Sequence, residues 1–328
     1  MKILAIRLAR LGDIVLLLPA LSSLKQALPG AHLSFLTGHR CAPIAEMCPA
    51  IDEVISIDRV AMRDGPAWKA LRGMSRLVRR IRREHFDLVV DFHGFRETNL
   101  LTWLSGAAVR IGMKRDRAPY LGFCFNRAPA PEDKSLHVAE MFQRVVQAAV
   151  APARAPDFAG SAIAIPQDLK QWAAGAASAA PRLALYVDAP VPERIWPPAS
   201  FAAVADFASA NFAANVMVIS GKSGTDLAQK VLAASRNPGR LKLFTDVTIP
   251  QMTALIASAQ LLVSNDTGPM HIGPAAGVPT LGLFSVGYPE HFRPIGSGSR
   301  FLRGSSIENI AVTEVTAAAG EMWPVRKL

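Results

Sequence analysis

Short apolar runs alternate along the chain with longer segments whose apolar positions recur every three to four residues. The first pattern predicts buried strands and the second predicts amphipathic helices. In the first half we predict strands at residues 2–7, 32–36, 54–57, 87–91 and 109–111, the last of these closing the sheet. The intervening helices are predicted at residues 14–28, 42–47, 68–84 and 136–149. This alternation is typical of a parallel sheet covered by helices.

The same alternation returns after a proline-bearing stretch that includes Pro152, Pro156 and Pro166. This stretch predicts a linker, so we expect an N-terminal domain at residues 1–155 and a C-terminal domain at 156–328. The second half has predicted strands at residues 182–187, 216–220, 241–244, 261–263 and 280–284. Its predicted helices are residues 167–180, 199–211, 225–235 and 251–259, a short one opening at Pro269, and residues 313–322, which could pack back on the first domain.

These elements predict an α/β protein with two Rossmann-like domains that face each other across a central crevice. In such folds a ligand binds at the carboxyl ends of the strands.

The turn after the strand at residues 261–263 has the composition of an anion site. Asp266 or Thr267 can cap a helix, Gly268 lets the backbone approach a ligand, and Pro269 suits the first helical position. Free N–H groups and the positive end of the helix dipole would then face an anion. An ordinary capped helix start has the same residue types, so both interpretations remain open for this turn alone.

Composition restricts the classes of partner and of compartment. Half of the 328 residues are hydrophobic and 19% are charged, which fits two globular domains and excludes a disordered chain. The formal charge of +10 favours polyanions, namely nucleic acid, anionic lipid or phosphorylated small molecules. The three cysteines form no close pair, as expected for reduced thiols in the cytoplasm. No apolar run approaches the ~20 residues that span a bilayer, so we expect any membrane contact to be peripheral.

Two basic segments lie in the first half. The predicted helix at residues 68–84 carries six arginines, either as a solvated face or as a surface for phosphates or anionic lipid. Residues 113–134 mix basic and aromatic side chains without a helical period, which fits either a loop over a binding face or a structural loop.

Familiar phosphate and metal motifs are incomplete. Gly221-Lys222-Ser223 resembles the end of a P-loop, but Val216 stands where the first glycine should be. The sequence has neither an HExxH motif nor a DxD-type acidic pair, which disfavours a diphosphate held by a metal. A bound diphosphate would have to be neutralised by cationic side chains and helix N-termini.

Two further residues are predicted to face the crevice. Arg194 follows the strand at residues 182–187 and could contact a phosphate, or it could be a surface arginine beside a packed Trp196. Asp13 follows the first strand and is either a helix N-cap or a general base for a hydroxyl.

Two stretches together carry a family resemblance: AIRLARLGDIVLLLPAL at the start, and RIWP with SNDTGPMHIGPAAGVPTLGLF in the second half. The chain resembles the heptosyltransferase-type glycosyltransferases of family 9, which transfer a sugar from a nucleotide diphosphate sugar to the inner core of lipopolysaccharide. Residues 60–135 and 285–328 resemble the family only loosely. The resemblance implies a GT-B fold, inversion at the anomeric carbon, and neither metal nor cofactor.

The resemblance also implies roles for individual residues. Asp13 is the expected base, and Arg194, where lysine is usual, the expected phosphate contact. The expected donor-binding residues are Asp266, Thr267, Gly268, Pro269, Met270 and His271, with Asp226 in the region where the family often has a ribose-binding glutamate. The basic residues expected to contact the acceptor are Arg10, Lys114, Arg115 and Arg117. Ser285-Val286-Gly287 departs from the family pattern, which leaves the sugar open.

We therefore predict an inverting, metal-independent glycosyltransferase that moves a sugar, heptose by resemblance, to a lipopolysaccharide core or another anionic glycolipid. We expect a monomer that works at the cytoplasmic face of the inner membrane and does not bind nucleic acid. Two alternatives remain. One is a non-catalytic protein of the same fold that binds nucleotide sugars or anionic glycans, and the other is an epimerase or hydrolase of GT-B architecture.

Overall fold

A computed structural model describes residues 1–150 and 161–324, with all of their side chains except those at positions 62, 63 and 67. The chain forms two compact units, Met1–Asp157 and Phe158–Leu328. The predicted domain boundary at residues 155 and 156 lies outside the described residues.

The first unit is a parallel sheet with helices between its strands. Its strands are β1 (Lys2–Ile6), β2 (His32–Gly38), β3 (Glu53–Ile57), β4 (Leu88–Asp91), β5 (Val109–Lys114) and β6 (Ala130–Pro131). Its helices are α1 (Leu11–Ala27), α2 (Ala42–Ala45), α3 (Arg59–Asp64), α4 (Ala67–Glu84), α5 (Arg96–Leu104) and α6 (Val138–Ala149). The strand order is β3-β2-β1-β4-β5-β6, so the direction of winding reverses between β1 and β4.

The second unit repeats this topology. Its strands are β7 (Arg182–Tyr186), β8 (Asn215–Ile219), β9 (Leu241–Phe244), β10 (Leu261–Asn265), β11 (Thr280–Phe284) and β12 (Arg300–Arg303). Its helices are α7 (Gln167–Ala176), α8 (Pro198–Phe212), α9 (Thr225–Ala234), α10 (Ile249–Ala257), α11 (Ile272–Ala275), α12 (Pro289–Phe292) and α13 (Val312–Met322). The order β12-β11-β10-β7-β8-β9 reverses between β7 and β10. In open parallel sheets such a reversal places ligands beside the loops that follow the two strands.

The central strands are apolar on both faces because helices cover both sides of each sheet. Ile3, Leu4 and Ile6 of β1 are fully buried, and β1 pairs in parallel with β2 and β4. In the second unit, Trp196 and Phe201 are fully buried in one core with residues of β7, β8 and β10. Val315, Ala319 and Met322 of α13 belong to the same core. Any packing of α13 against the first unit stays a prediction.

The predicted elements are confirmed except the short helix expected to open at Pro269, where a 3₁₀ turn precedes α11. The end of the first sheet was also predicted wrongly. The strand at residues 109–111 is not the last one, because β6 pairs with β5 beyond it. The segment at residues 113–134 also contains a 3₁₀ turn, Gly122–Cys124. The elements α3, α5, α12 and β12 were not predicted either. Within the described part of the chain, no helix has the length and apolarity that crossing a membrane requires.

Candidate functional site

Asp13 lies in the first turn of α1, where a buried arginine holds it. Its Oδ1 accepts a hydrogen bond from Arg7 Nη2 at 2.6 Å. The Arg7 side chain is only 4% exposed, its Nη1 donates to the Phe92 carbonyl at 2.7 Å, and its guanidinium lies 4.8 Å from the centre of the Phe142 ring. Arg7 follows β1 directly and Phe92 follows β4, so the point of sheet reversal fixes the position of Asp13.

The interpretation of Asp13 as a helix N-cap is wrong. Arg10 occupies the N-cap position of α1 and makes no side-chain capping bond. The Asp13 side chain is 28% exposed, and its Oδ2 has no hydrogen-bond partner among the described residues. One carboxylate oxygen is therefore anchored and the other is available to a ligand.

The loop after β4 contains a second polar cluster that sequence reasoning missed. The Asp91 carboxylate accepts hydrogen bonds from the backbone N–H groups of His93 and Gly94, at 2.8 and 3.0 Å, and from Asn99 Nδ2 at 2.9 Å. Asp91 is fully buried, and this burial raises its pKa. Gly94 has a φ of +70°, and a Cβ there would lie 2.6 Å from the Met113 carbonyl oxygen, so this turn needs glycine.

His93 is a neutral ring among guanidinium groups. His93 is 6% exposed, and its Nδ1 has no hydrogen-bond partner in the described part of the protein. Burial, followed by the positive charges of Arg7, Arg115 and Arg59, lowers the pKa of His93 to about 3. Such an arrangement favours an anionic ligand, because an anion would offset the charges that already surround the ring.

Of the predicted acceptor contacts, Arg115 belongs to this cluster. Its Nε donates to the His93 carbonyl at 2.7 Å, its Nη1 lies 3.2 Å from Glu132 Oε1, and its guanidinium stacks 4.6 Å from the Phe95 ring centre. The other three predicted contacts are exposed and have no ion-pair partner among the described residues: Arg10, Lys114 and Arg117.

A cavity of about 330 Å³ opens at the carboxyl ends of β1, β2 and β3. Its charged and imidazole lining consists of His39, Arg40, Asp58 and Arg59, and the Asp58 carboxylate caps α3 by accepting from the Ala61 amide. The Arg59 side chain is held there by a 2.6 Å bond from its Nη1 to the Leu8 carbonyl. Arg7, Arg59 and Arg115 thus bring positive charge to the carboxyl ends of the strands around His93, and Asp13 lies beside Arg7.

In the second unit, the loops after β7 and β10 are joined by an ion pair. Arg194 Nη1 lies 3.0 Å from Asp266 Oδ2 and 3.4 Å from the Asp266 carbonyl oxygen. The Asp266 side chain is 9% exposed. Burial raises the pKa of Asp266 to about 6, because the loss of hydration outweighs the attraction of Arg194.

The loop after β11 closes over this ion pair. Gly287 has a φ of +127°, and a Cβ at this position would lie 3.0 Å from Asp266 Oδ2 and 3.7 Å from Arg194 Nη2. Ser285 Oγ donates to the Glu193 carbonyl and so joins this loop to the one that carries Arg194. The departure from the family pattern at residues 285–287 thus lies directly against the ion pair.

Asn265 connects the two central strands of the second sheet beneath the ion pair. Its Oδ1 accepts from the Trp196 backbone N–H at 3.1 Å, and its Nδ2 donates to the Val187 carbonyl at 3.0 Å. Trp196 Nε1 in turn donates to the Ile310 carbonyl at 3.0 Å. Trp196 is packed as the sequence suggested, and it gives the Arg194 loop a rigid base.

The turn that follows Asp266 is a weaker helix start than predicted. Thr267 occupies the N-cap position, but its side chain makes no capping hydrogen bond. A 3₁₀ turn, Gly268–His271, leads into the four-residue α11, and Pro269, Met270 and His271 are buried. The Met270 amide already donates to the Thr267 carbonyl at 3.1 Å. Because the helix is short and Pro269 has no N–H, few amides remain for an anion.

Asp226 takes no part in this ion pair. It is exposed on the first turn of α9 and pairs with Lys230 at 2.6 Å. Asp188, which follows β7, packs against the loop after β8. A Cβ at Gly224 would lie 2.7 Å from the Asp188 Cγ, and Ser223 Oγ lies 3.4 Å from Asp188 Oδ2. Sequence reasoning missed Asp188 because its partners come from the loop after β8.

Among the described residues, no group of three or more His, Cys, Asp and Glu side chains is arranged to hold a metal ion.

Comparison with known proteins gives consistent matches. The family model described as Glycosyltransferase family 9 (heptosyltransferase) matches residues 74–318. Lipopolysaccharide heptosyltransferase 1 of Pseudomonas aeruginosa is 25% identical over 298 residues, which cover 88% of this chain and 80% of that protein. Lipopolysaccharide heptosyltransferase 3 of Escherichia coli is 25% identical over 295 residues, covering 86% and 83%.

Two solved structures resemble the whole chain. The family 9 glycosyltransferase of Veillonella parvula superposes with a TM-score of 0.84 at 22% identity, covering 98% of this chain and 97% of that one. The heptosyltransferase WaaC of E. coli, solved with ADP, gives a TM-score of 0.82 at 18% identity, covering 98% and 100%. The prediction of a GT-B fold is confirmed by these likenesses.

Proposed function

Because the chain belongs to glycosyltransferase family 9, we propose that it moves heptose from a nucleotide diphosphate sugar to a lipopolysaccharide core or a related anionic glycolipid. The chain is a glycosyltransferase, and its relatives support the finer assignment. Two of them are lipopolysaccharide heptosyltransferases, and two related structures hold ADP and ADP-2-deoxy-2-fluoro heptose. The proposal gives the donor to the second unit and the acceptor to the first.

The observation that carries the proposal is the half-anchored carboxylate of Asp13. Arg7 binds Oδ1, so Oδ2 can accept the proton of an acceptor hydroxyl as that oxygen attacks the anomeric carbon. A new carbon–oxygen bond forms on one face of the sugar while the bond to the diphosphate breaks on the other, which inverts the anomeric centre. The proton ends on Asp13 and the electron pair leaves with the nucleotide diphosphate.

Arg194 is proposed to receive the charge of the leaving diphosphate. Its guanidinium pairs with Asp266, which holds it over the end of β10. A bidentate contact with phosphate oxygens would use the remaining guanidinium nitrogens, so the reaction is proposed to proceed without a metal ion. Asp226 is left out of this donor site, whereas Asp188 is added to it because of its position at the end of β7.

The acceptor is proposed to be held by the positive charge at the carboxyl ends of the first sheet's strands. Arg115, with Arg59 and the unpartnered Nδ1 of His93, would bind an acidic or phosphorylated sugar next to Asp13. The exposed Arg10, Lys114 and Arg117 would add weaker, salt-sensitive contacts. Because a glycolipid acceptor is embedded in a bilayer, the enzyme is proposed to act as a peripheral protein at the cytoplasmic face of the inner membrane.

The test of this function is Asp13→Asn, assayed for transfer from ADP-heptose to a lipopolysaccharide core acceptor. The asparagine keeps the size of the side chain and its bond to Arg7 but cannot take the proton. We expect kcat to fall at least about a hundredfold, the usual contribution of a general base. Asp87→Asn is the matched control, because Asp87 is an exposed carboxylate that precedes β4 and so lies at the amino ends of the strands, away from Asp13.

An Asp13→Asn protein that transfers heptose at the rate of the wild type would show that the base is assigned wrongly. Persistence of wild-type transfer in excess EDTA is expected if no metal takes part. Loss of transfer in EDTA that is restored by a divalent cation would contradict that part of the proposal.

A further inference from the structure

Helix α4 presents two different faces. Met74, Leu77, Val78 and Ile81 turn inward and pack in the core of the first unit. Trp68 and Leu71, near the amino end of the helix, turn outward and are 60% and 71% exposed. Single exposed apolar side chains are common on soluble proteins, but a tryptophan and a leucine one turn apart form a small apolar tip.

Four exposed arginines continue from this tip along the outward face. Their spacing of three or four residues places them in one line on a helix, and they are Arg72, Arg76, Arg79 and Arg83. We call them the α4 arginine stripe. None of the four has a carboxylate within ion-pair distance among the described residues. The acidic groups nearby are already taken, since Glu53 pairs with Arg80 and Glu84 with Lys2.

We propose that α4 docks the protein on an anionic bilayer, with Trp68 and Leu71 in the lipid interface and the α4 arginine stripe on lipid phosphates. The inference rests on the proposed function, because a glycolipid acceptor lies in such a bilayer. It adds the surface by which the enzyme reaches that acceptor.

The combination of side chains favours a bilayer over other polyanions. Tryptophan settles at the boundary between headgroups and acyl chains, and arginine stems lie along apolar surface while their charged ends reach phosphates. A nucleic acid would engage the arginines but would leave Leu71 in water. A bilayer satisfies the tip and the stripe at the same time.

The first experiment measures binding of the full chain to vesicles of phosphatidylcholine with phosphatidylglycerol, and to phosphatidylcholine alone. The wild type should bind the anionic vesicles more tightly. Each basic residue near such a surface strengthens binding about fivefold. Arg72→Gln with Arg76→Gln should therefore weaken binding about 25-fold, whereas Arg236→Gln with Lys242→Gln, which removes the same charge from the second unit, should change it little.

The apolar tip has its own readout. Lipids brominated on the acyl chain should quench tryptophan emission in the wild type, and Trp68→Phe should remove most of this quenching. Trp68→Ala with Leu71→Ala should weaken binding about tenfold even in high salt, where the arginines are screened. Phe123→Ala, which removes another exposed aromatic side chain of the first unit, is the control.

These results separate the docking proposal from the proposed function. The α4 variants should transfer heptose to a delipidated, water-soluble core oligosaccharide at the wild-type rate and lose transfer only to glycolipid embedded in vesicles. Absence of transfer by the wild type to either acceptor would count against the function, while vesicle binding would still decide the docking. The docking proposal would be overturned if the Arg72/Arg76 and the Trp68/Leu71 double variants both bound anionic vesicles as the wild type does. It would also be overturned if these two double variants lost binding to an oligonucleotide but kept binding to anionic vesicles.

Discussion

At Asp266, burial and a neighbouring guanidinium act in opposite directions on one carboxyl group. Burial dominates and raises its pKa to about 6, so the group changes charge just below neutral pH. Its ionised form occupies Arg194 and repels phosphate, whereas its protonated form does neither. Bound donor should therefore raise the pKa of Asp266 further.

The affinity for an ADP-sugar should then increase as the pH falls. Each phosphorus of such a donor has one ester and one anhydride linkage and no proton that titrates between pH 5 and 8, so the charge of the diphosphate stays constant over this range. If the donor raises the Asp266 pKa by about one unit, affinity should rise about tenfold from pH 8 to pH 5. Calorimetric titration across this range measures it, and Asp266→Asn should abolish the dependence. An affinity that rises with pH would contradict the pairing of these groups.

We predict that any side chain at Gly287 weakens donor binding, because it would crowd the ion pair and because the backbone there has a positive φ. Alanine there would strain the backbone at a φ of +127° and bring its Cβ to 3.0 Å from Asp266 Oδ2. We expect Gly287→Ala to weaken ADP-sugar binding about tenfold and to destabilise the fold by about 1–3 kcal/mol. Gly277→Ala is the matched control, since Gly277 has a φ of +78° and a Cβ added there would meet no atom within 4 Å.

The comparison of these two variants separates strain from contact. Gly277→Ala should lose stability and keep its affinity for the donor. Equal affinity losses in both variants would mean that backbone strain alone, and not the approach to Asp266, explains the glycine.

At the scale of elements, Asn265 decides how the end of β10 meets the loop after β7. Asn265→Ala would leave the Trp196 amide and the Val187 carbonyl buried without partners. Each such group costs about 1–3 kcal/mol, so we expect a loss of about 2–4 kcal/mol in the free energy of unfolding by urea. The control Asn211→Ala removes an exposed amide on α8 and should stay within about 0.5 kcal/mol. A loss equally small in Asn265→Ala would contradict this bridging role.

The elements that the sequence predicted correctly are those with long or strongly apolar patterns. Strands such as β1 and β10 are buried on both faces and read as continuous apolar runs. The missed strands lie at the edges of the sheets: β6 has two residues, and β12 has an arginine at each end. An edge strand has one neighbour and a partly exposed face, so its pattern carries little signal.

At the scale of the whole molecule, the parts of the candidate site that lie on short motifs could be named from the sequence, and the parts assembled by topology could not. Asp13, Arg194 and Asp266 were named from the sequence, and Arg194 and Asp266 do meet in the second unit. Arg7, His93 and Arg115 come together because β1, β4 and β5 are adjacent in the sheet. Sequence spacing contains no such adjacency, so the contacts of Arg7 with the Phe92 carbonyl and of Arg115 with the His93 carbonyl could be found only in the structure.

The proposed assignment of the acceptor to the first unit and the donor to the second leads to a final prediction. Asp13→Asn should keep the stabilisation that an ADP-sugar gives the wild type, about 2.7 kcal/mol at a concentration of 100 Kd, while losing transfer. Arg194→Ala should raise Kd about 10- to 100-fold, because it removes a charged hydrogen bond and leaves the Asp266 carboxylate facing the diphosphate. Arg194→Lys keeps the charge but cannot make the bidentate contact, so its Kd should lie between those of the wild type and Arg194→Ala. Thermal unfolding with increasing donor measures all three, and equal donor stabilisation in Arg194→Ala and the wild type would remove Arg194 from the donor site.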